Sequence, residues 1–240
     1  MGVNIEVMTH SGAASKKRTA TSAKPTREGP YHHGDLRNAL VLAAAELAET
    51  GGPEAVTVRA AARRVGVTPT AAYRHFTNHE QLLLAAHEHA QQSLFAAMAE
   101  TVAALEPQAD AVSRLNAIGR GYIAFALREP GLFRTAFCGS DSADPGQWDS
   151  PAFDLLSDLL DELVVIGYTD PADRPDAELA AWAAVHGMAS LIIEGAFGVI
   201  NAETRDRAIE RTVAMVRRGL ATGPRADEYG WSSPPRGHPE

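Results

Sequence analysis

Residues 63–76 read RRVGVTPTAAYRHF, and the fold turns on how this stretch is divided. Just before and within it, Val58, Ala61, Ala62 and Val65 recur at i, i+3, i+4 and i+7, the stripe of a helix buried on one side; it begins after Thr57 and ends at Gly66. Thr68 then supplies a cap, and Pro69 a first helical residue whose missing N–H costs nothing there. A second short helix therefore follows almost at once. At about 100° per residue, Ala72 and Phe76 point to one side, Thr70 and Arg74 to the other, and Tyr73 lies on the flank. The inner side is small and apolar, and the outer side is a row of hydrogen-bonding groups with one cation. So short a helix is unstable alone and must be held by the helices before it.

Two short helices joined by a glycine turn, the second offering polar groups outward, have the composition of a helix-turn-helix. The major groove of B-DNA admits one α-helix, which needs small residues behind it and hydrogen-bonding residues in front. Thr70 and Arg74 meet the second need and Ala72 and Phe76 the first, while Ala71 is small enough for close approach or for a thymine methyl group. The bland alternative is a surface turn that happens to carry Arg and Tyr.

Working outward, the apolar spacing is helical almost throughout, and nothing alternates with period two long enough to make a strand. The expected fold is all-α, with about nine helices. The first runs from Asp35 as N-cap through Leu36, Leu40, Ala43 and Leu47 to Gly51-Gly52-Pro53; the fourth starts at Asn78, with Gln81 completing a capping box, and runs to about Ala104. Further helices are expected at about 110–129, 131–138, 151–166, 175–200 and 203–221. The domain plan is a disordered basic arm at 1–30 containing SKKR, a helix-turn-helix domain at 31–80, a larger helical domain at 81–222 and a Pro-, Gly- and Ser-rich tail at 223–240.

The chain's net charge of −8 taken alone argues against a nucleic-acid partner. The distribution reverses that inference. Residues 1–80 carry ten Lys and Arg against seven Asp and Glu, together with five of the nine histidines; the remainder carries twelve against 23. Cys138, the single cysteine, cannot form an intrachain bridge, and the N-terminus lacks the apolar centre of a secretory signal, so a reducing cytoplasm is expected. No apolar run of about 18 residues is present to span a membrane; the nearest, Leu179 to Ile200, is broken by His186, Ser190 and Glu194.

Residues 35–86, DLRNALVLAAAELAETGGPEAVTVRAAARRVGVTPTAAYRHFTNHEQLLLAA, resemble the N-terminal DNA-binding domain of TetR-type transcriptional regulators. YIAFALREPGLFRTAF (122–137) and WAAVHGMASLIIEGAF (182–197) resemble the ligand-binding domain of the TetR subfamily named for its Trp, His and Gly, here Trp182, His186 and Gly187. The resemblance implies that Thr57 bonds a phosphate, that Arg59 reaches phosphate or a base edge, that Thr68, Thr70, Ala71 and Arg74 face the groove, and that Tyr73 and His75 hold the backbone. One departure stands out: the lysine usual at the start of the fourth helix is His79, which loses a fixed charge and makes binding strengthen on acidification.

The eighth helix is apolar on nearly all sides, so one face is expected in its own subunit and the other against a partner. With the ninth helix it assigns Ala183, Gly187, Ala189, Ile193, Phe197, Ile209, Val213 and Val216 to a two-fold dimer interface. The family analogy further implies a pocket for an unidentified small effector, for which Tyr122, Phe125, Phe133, Phe137, Trp148, Phe153, Trp182 and His186 are the lining candidates. For Trp182 and His186 a packed core pair is the competing reading, and Glu194 is either an interface residue or a pocket group. His87 and His89 diverge by about 200° on a helix and cannot readily share one ion.

No nucleophile elbow, phosphate-binding glycine loop, metal spacing or carboxylate pair appears, so no catalytic residue, metal or cofactor is expected. The partners expected are an operator in double-stranded DNA, a second copy of the chain and the effector. The rival from another class is a helical carrier or enzyme with a vestigial helix-turn-helix.

Overall fold

The computed structural model describes residues 33–137 and 150–222. The expected basic arm, Cys138, Trp148 and the 223–240 tail lie outside these residues. Among the described residues the chain is helical without a strand: α1 (His33–Gly51), a 3-10 turn (Pro53–Ala55), α2 (Val58–Val65), α3 (Pro69–Tyr73), α4 (His79–Ala103), α5 (Ala111–Arg128), α6 (Pro130–Ala136), α7 (Pro151–Val165), a 3-10 turn (Pro171–Asp173), α8 (Ala177–Ile193) and α9 (Ala202–Leu220).

The ends of these helices are set by side chains. Thr57 Oγ1 accepts from Ala60 N–H at 3.0 Å, Thr68 Oγ1 from Ala71 N–H at 3.3 Å, and Asn78 Oδ1 from Gln81 N–H at 2.9 Å, each satisfying a donor that the first turn leaves unpaired. Gly66 stops α2 at φ 79°, in the left-handed region where a side chain would be strained, and the N–H of Val67 closes back to Ala62 O at 2.9 Å. Gln81 departs from the expected capping box, because its Oε1 accepts from Thr77 N–H and Thr77 Oγ1 rather than from Asn78.

Observed boundaries fall within about two residues of those expected, as assignments of fraying ends usually do, with three exceptions. The third helix ends at Tyr73, so Arg74 and His75 lie in its closing turn; the αR backbone at Arg74 keeps the helical direction for one more residue. The eighth helix stops at Ile193, after which the chain turns through Gly195 and Gly198 at φ 69° and 64°, taking Phe197 off the helix. Asp35 lies within the first turn of α1 instead of capping it.

Two hydrophobic clusters hold the chain. The first packs Leu40 and Ala44 of α1 on Val58, Ala61 and Ala62 of α2, Ala72 and Phe76 of the α3 segment, and Leu82 and Ala86 of α4. The second joins α4 through α9 around Leu94, Met98, Ile118, Tyr122, Phe133, Leu160 and Trp182. Helix α4 contributes to both and is the beam on which they are mounted.

Helices α7 and α8 are also clamped by charge. Arg174, in the loop before α8, pairs with Asp161 at 2.6 Å and Glu178 at 2.7 Å, and Ser157 donates to the same Glu178 carboxylate at 2.8 Å. Burial alone pushes the Glu178 carboxyl up, but the hydrogen bonds from Arg174 and Ser157 outweigh it and hold the group below the usual glutamate value. The stabilisation from Glu178 is therefore complete above its ordinary value of 4.5 and is lost as pH falls through the lower folded value. Arg174→Ala is expected to cost about 2–4 kcal/mol near neutral pH, since it leaves Glu178 largely buried and unpaired. Urea unfolding of wild type and variant checks this, and the gap between their midpoints should narrow on acidification.

Candidate nucleic-acid interface and effector pocket

The small residues behind α3 are where the sequence required them: Ala72 is fully buried and Phe76 only 2% exposed. Thr68, Thr70, Tyr73 and Arg74 are exposed, while Ala71 and His75 are half-buried. Thr57 and Arg59 are exposed at the start of α2. Because Thr57 and Thr68 use their oxygens to accept capping bonds, their hydroxyl protons stay free to donate to a phosphate. Arg59, Arg63 and Arg74 form no ion pair among the described residues, whereas Arg64 is tied to Glu46 of α1. Free guanidinium groups on one short helix and the next turn make a cationic edge on an otherwise acidic chain.

Two members of this edge were not legible in the sequence. Arg37 of α1 lies over the Phe76 ring, 5.1 Å from guanidinium carbon to ring centroid. It is placed there by the tertiary fold, and no local spacing signals it. Arg63 reads simply as the polar side of α2 until α3 is seen beside it.

His79, the first residue of α4, is exposed but not free: its Nδ1 donates to the backbone carbonyl of Val56. A carbonyl can only accept, so the proton of the neutral ring is on Nδ1 and Nε2 presents a lone pair outward. With that proton committed to Val56, neutral His79 has no N–H left for an anion at this helix start. Only the doubly protonated ring can donate there.

The pocket candidates form one aromatic group with two exceptions. Tyr122 packs edge-on against Phe133 (5.6 Å between ring centroids) and Trp182 (5.2 Å); Phe137 meets Phe133 at a tilt at 5.1 Å and His186 edge-on at 4.7 Å; and Phe153 reaches Trp182 at 5.8 Å. Tyr122 OH and His186 Nδ1 are 2.8 Å apart. Phe125 is buried in the same core but is absent from these ring contacts, and Trp148 lies outside the described residues. Burial drives the Tyr122 hydroxyl far above the usual phenol range and pushes the His186 imidazole down, against a weaker upward pull from Glu194. Glu194 itself is exposed at the end of α8.

Beside this group is an apolar cavity of about 30 Å³, lined by Met98, Leu115, Ile118, Gly119, Tyr122, Leu156, Ala181, Trp182, Val185, Val213 and Val216. Only Tyr122 and Trp182 of the aromatic candidates reach it. Their rings form part of its wall, and Phe133, Phe137 and His186, which contact Tyr122, are not among the lining residues. Val213 and Val216, expected at a dimer interface, line this cavity, where α9 packs onto α5.

The remaining interface candidates divide as well. Ala189 is fully buried in the protomer core and cannot meet another chain; Ile193 and Ile209 are half-buried against that core. Ala183 and Phe197 are exposed, and open space lies beside Gly187. Leu179, Ala183, Gly187 and Leu191 follow an i, i+4 row along α8, and Met215 of α9 is 59% exposed. Leu179, Leu191 and Met215 thus belong to an exposed apolar surface that the sequence reading missed, since periodicity cannot say which side of an all-round apolar helix is already covered.

A family model described as "Bacterial regulatory proteins, tetR family" matches residues 40–86, and one described as "Tetracyclin repressor-like, C-terminal domain" matches residues 115–216. The chain belongs to the TetR family. Among similar proteins, the nucleoid occlusion factor SlmA of Aliivibrio fischeri strain MJ11 is 31% identical over 116 residues, 48% of this chain and 53% of that protein. The chain thus spans about half the length of the curated relatives it matches. A solved protein of unknown function from Rhodococcus sp. RHA1 is 29% identical with a TM-score of 0.66, covering 81% of this chain and 100% of that one. A TetR family transcription regulator from Marinobacter aquaeolei VT8, at 21% identity and a TM-score of 0.63, covers 78% and 95% and shares the fold.

Within this TetR-type fold the depressed His186 imidazole has a measurable sign. Below the ordinary value of 6.5 the unfolded chain takes up a proton that folded His186 resists, so its contribution to stability falls as pH drops through that range. An NMR titration should place the His186 midpoint below 6.5, and His186→Asn should remove that share of the acid sensitivity in thermal unfolding.

Proposed function

We propose that this TetR-family protein is a ligand-responsive DNA-binding transcriptional regulator that acts as a homodimer on a near-palindromic operator, repressing until a small effector releases it. The observation that carries the reading is the α3 segment: Ala72 and Phe76 are buried behind it while Thr70, Tyr73 and Arg74 are exposed in front. Thr57, Arg59, Thr68, Ala71, His75 and His79 complete the proposed contact set, with Arg37 and Arg63 added as phosphate contacts. The exposed apolar row of α8 supports pairing of two subunits, which sets two reading helices against two half-sites. The proposal includes the cytoplasmic setting and the likeness to the subfamily marked by Trp182, His186 and Gly187. It assigns no catalysis.

Helix α6 supports a route from pocket to DNA. Its Phe133 and the Phe137 that caps its end lean on Tyr122 and His186, while its last carbonyls, at Thr135 and Ala136, accept from His87 Nδ1 at 3.2 Å and Gln91 Nε2 at 2.6 Å on α4. Its start is pressed on α1 so closely that a Cβ at Gly131 would stand 2.5 Å from Glu49 Cβ. An effector that displaces Tyr122 therefore pushes on a helix hydrogen-bonded to α4 and wedged against α1. An allosteric coupling of about 1–3 kcal/mol changes operator affinity about 5- to 150-fold.

Selection of bound fragments from random duplex DNA should return a near-palindrome, and binding to it should weaken steeply from low to moderate salt. Arg74→Ala is expected to cost about 1–3 kcal/mol in discrimination between that sequence and random DNA without changing the oligomeric state. Unaltered preference removes Arg74 from the reading role, and absence of any DNA binding removes the regulator reading. His79→Lys is expected to tighten binding and to steepen the salt dependence by about one released counterion per subunit. Side-by-side titrations of the two proteins measure both effects.

A further inference from the structure

Resting on that regulatory reading, we infer that the effector is a small uncharged apolar molecule, seated between α5, α8 and α9 in the cavity behind Tyr122 and Trp182. The lining carries no ionisable side chain apart from Tyr122, and the Tyr122 hydroxyl is held by His186, which does not line the cavity. Neither of these two groups favours its charged form, since burial raises the phenol and lowers the imidazole. A carboxylate or ammonium placed in the cavity would meet no counter-ion among the lining side chains, whose polar groups are the Tyr122 hydroxyl and the Trp182 indole N–H, and a desolvated charge without a counter-ion is strongly disfavoured. Apolar cavities of this kind stay dry, and they accept apolar guests because no water has to be given up.

The cavity of about 30 Å³ is smaller than a ring-sized guest, so entry requires the walls to part. Two features permit this. Met98 is a flexible thioether that repacks at little cost, and across the cavity Gly119 leaves α5 without a side chain, facing Val213 of α9 and Val185 of α8. Expansion then bears on Tyr122 and Trp182, the two rings that also support Phe133 of α6 and Phe137 at its C-terminal cap. The same event that admits the guest thus loads the helix bonded to α4.

Gly119 provides the control. A Cβ there would lie 3.4 Å from Val213 Cγ2, at the edge of ordinary contact, whereas a leucine would extend into the cavity. Calorimetric titration of the full-length protein compares toluene with benzoate and benzylammonium, which share its ring and differ in charge. Toluene is expected to bind more than about tenfold tighter than either ion, Gly119→Leu to abolish toluene binding, and Gly119→Ala to weaken it by less. Should the leucine variant fail to fold, the alanine variant carries the comparison.

Equal or tighter binding of an ion, toluene binding untouched by both substitutions, or no toluene binding up to its solubility would overturn the inference. Binding of the selected duplex is measured in parallel on the same preparations. A protein that binds the duplex and takes benzoate as readily as toluene sinks this inference alone. One that takes toluene and ignores DNA sinks the regulatory reading alone.

Discussion

The five residues of α3 are too few to persist as a helix in water, and their conformation is held by the burial of Ala72 and Phe76 against helices that are themselves stable. Everything offered by the exposed side depends on that anchorage. Removing Cβ from the inner face, or enlarging it, would move every outward group together. The cap at Thr68 and the proline after it reduce the entropy left to offset, and Arg37 closes the open face of Phe76. A weakly self-stabilised element has thus been made rigid by its neighbours, which suits a surface whose partner is itself stiff and regularly spaced.

Tyr122 has a comparable place in the larger cluster. It touches Phe133, Phe137, Trp182 and His186 and also faces the cavity. Its hydroxyl must find a partner once buried, and His186 provides it, so the residue is fixed in position and orientation. That makes the Tyr122–Trp182 wall a shared boundary, because no change on one side leaves the other unaffected. Close-packed interiors pass on displacement instead of absorbing it.

Much of this was readable in the chain because it depends on local signals. The caps at Thr68 and Asn78, the stop at Gly66 and the inward pair Ala72 and Phe76 are fixed by spacing and turn chemistry, and the structure places each as expected. What was not readable depends on which helix lies opposite. Val213 and Val216 are apolar on one stripe of α9 whether that stripe meets another subunit or its own α5. Ala189 and Ala183 are the same residue on one helix, yet the first is sealed in and the second open. The early end of α8 escaped notice because its apolar run continues past Ile193, while the turns at Gly195 and Gly198 are invisible to hydrophobic periodicity. Nothing local to His79 announces the Val56 carbonyl, which lies 23 positions earlier.

That bond between His79 and Val56 has a mechanical meaning. It rivets the first turn of the long α4 beam to the strap of chain leading into α2, while Thr77 and Gln81 lace the same corner from the other side. Helices α1, α2 and α3 and the head of the beam are thereby tied into a single block. In the dimer proposed above, a push arriving along α4 would tilt that block without reshaping it, changing the distance and angle between its two copies, which a duplex of fixed pitch would register as a mismatch in spacing.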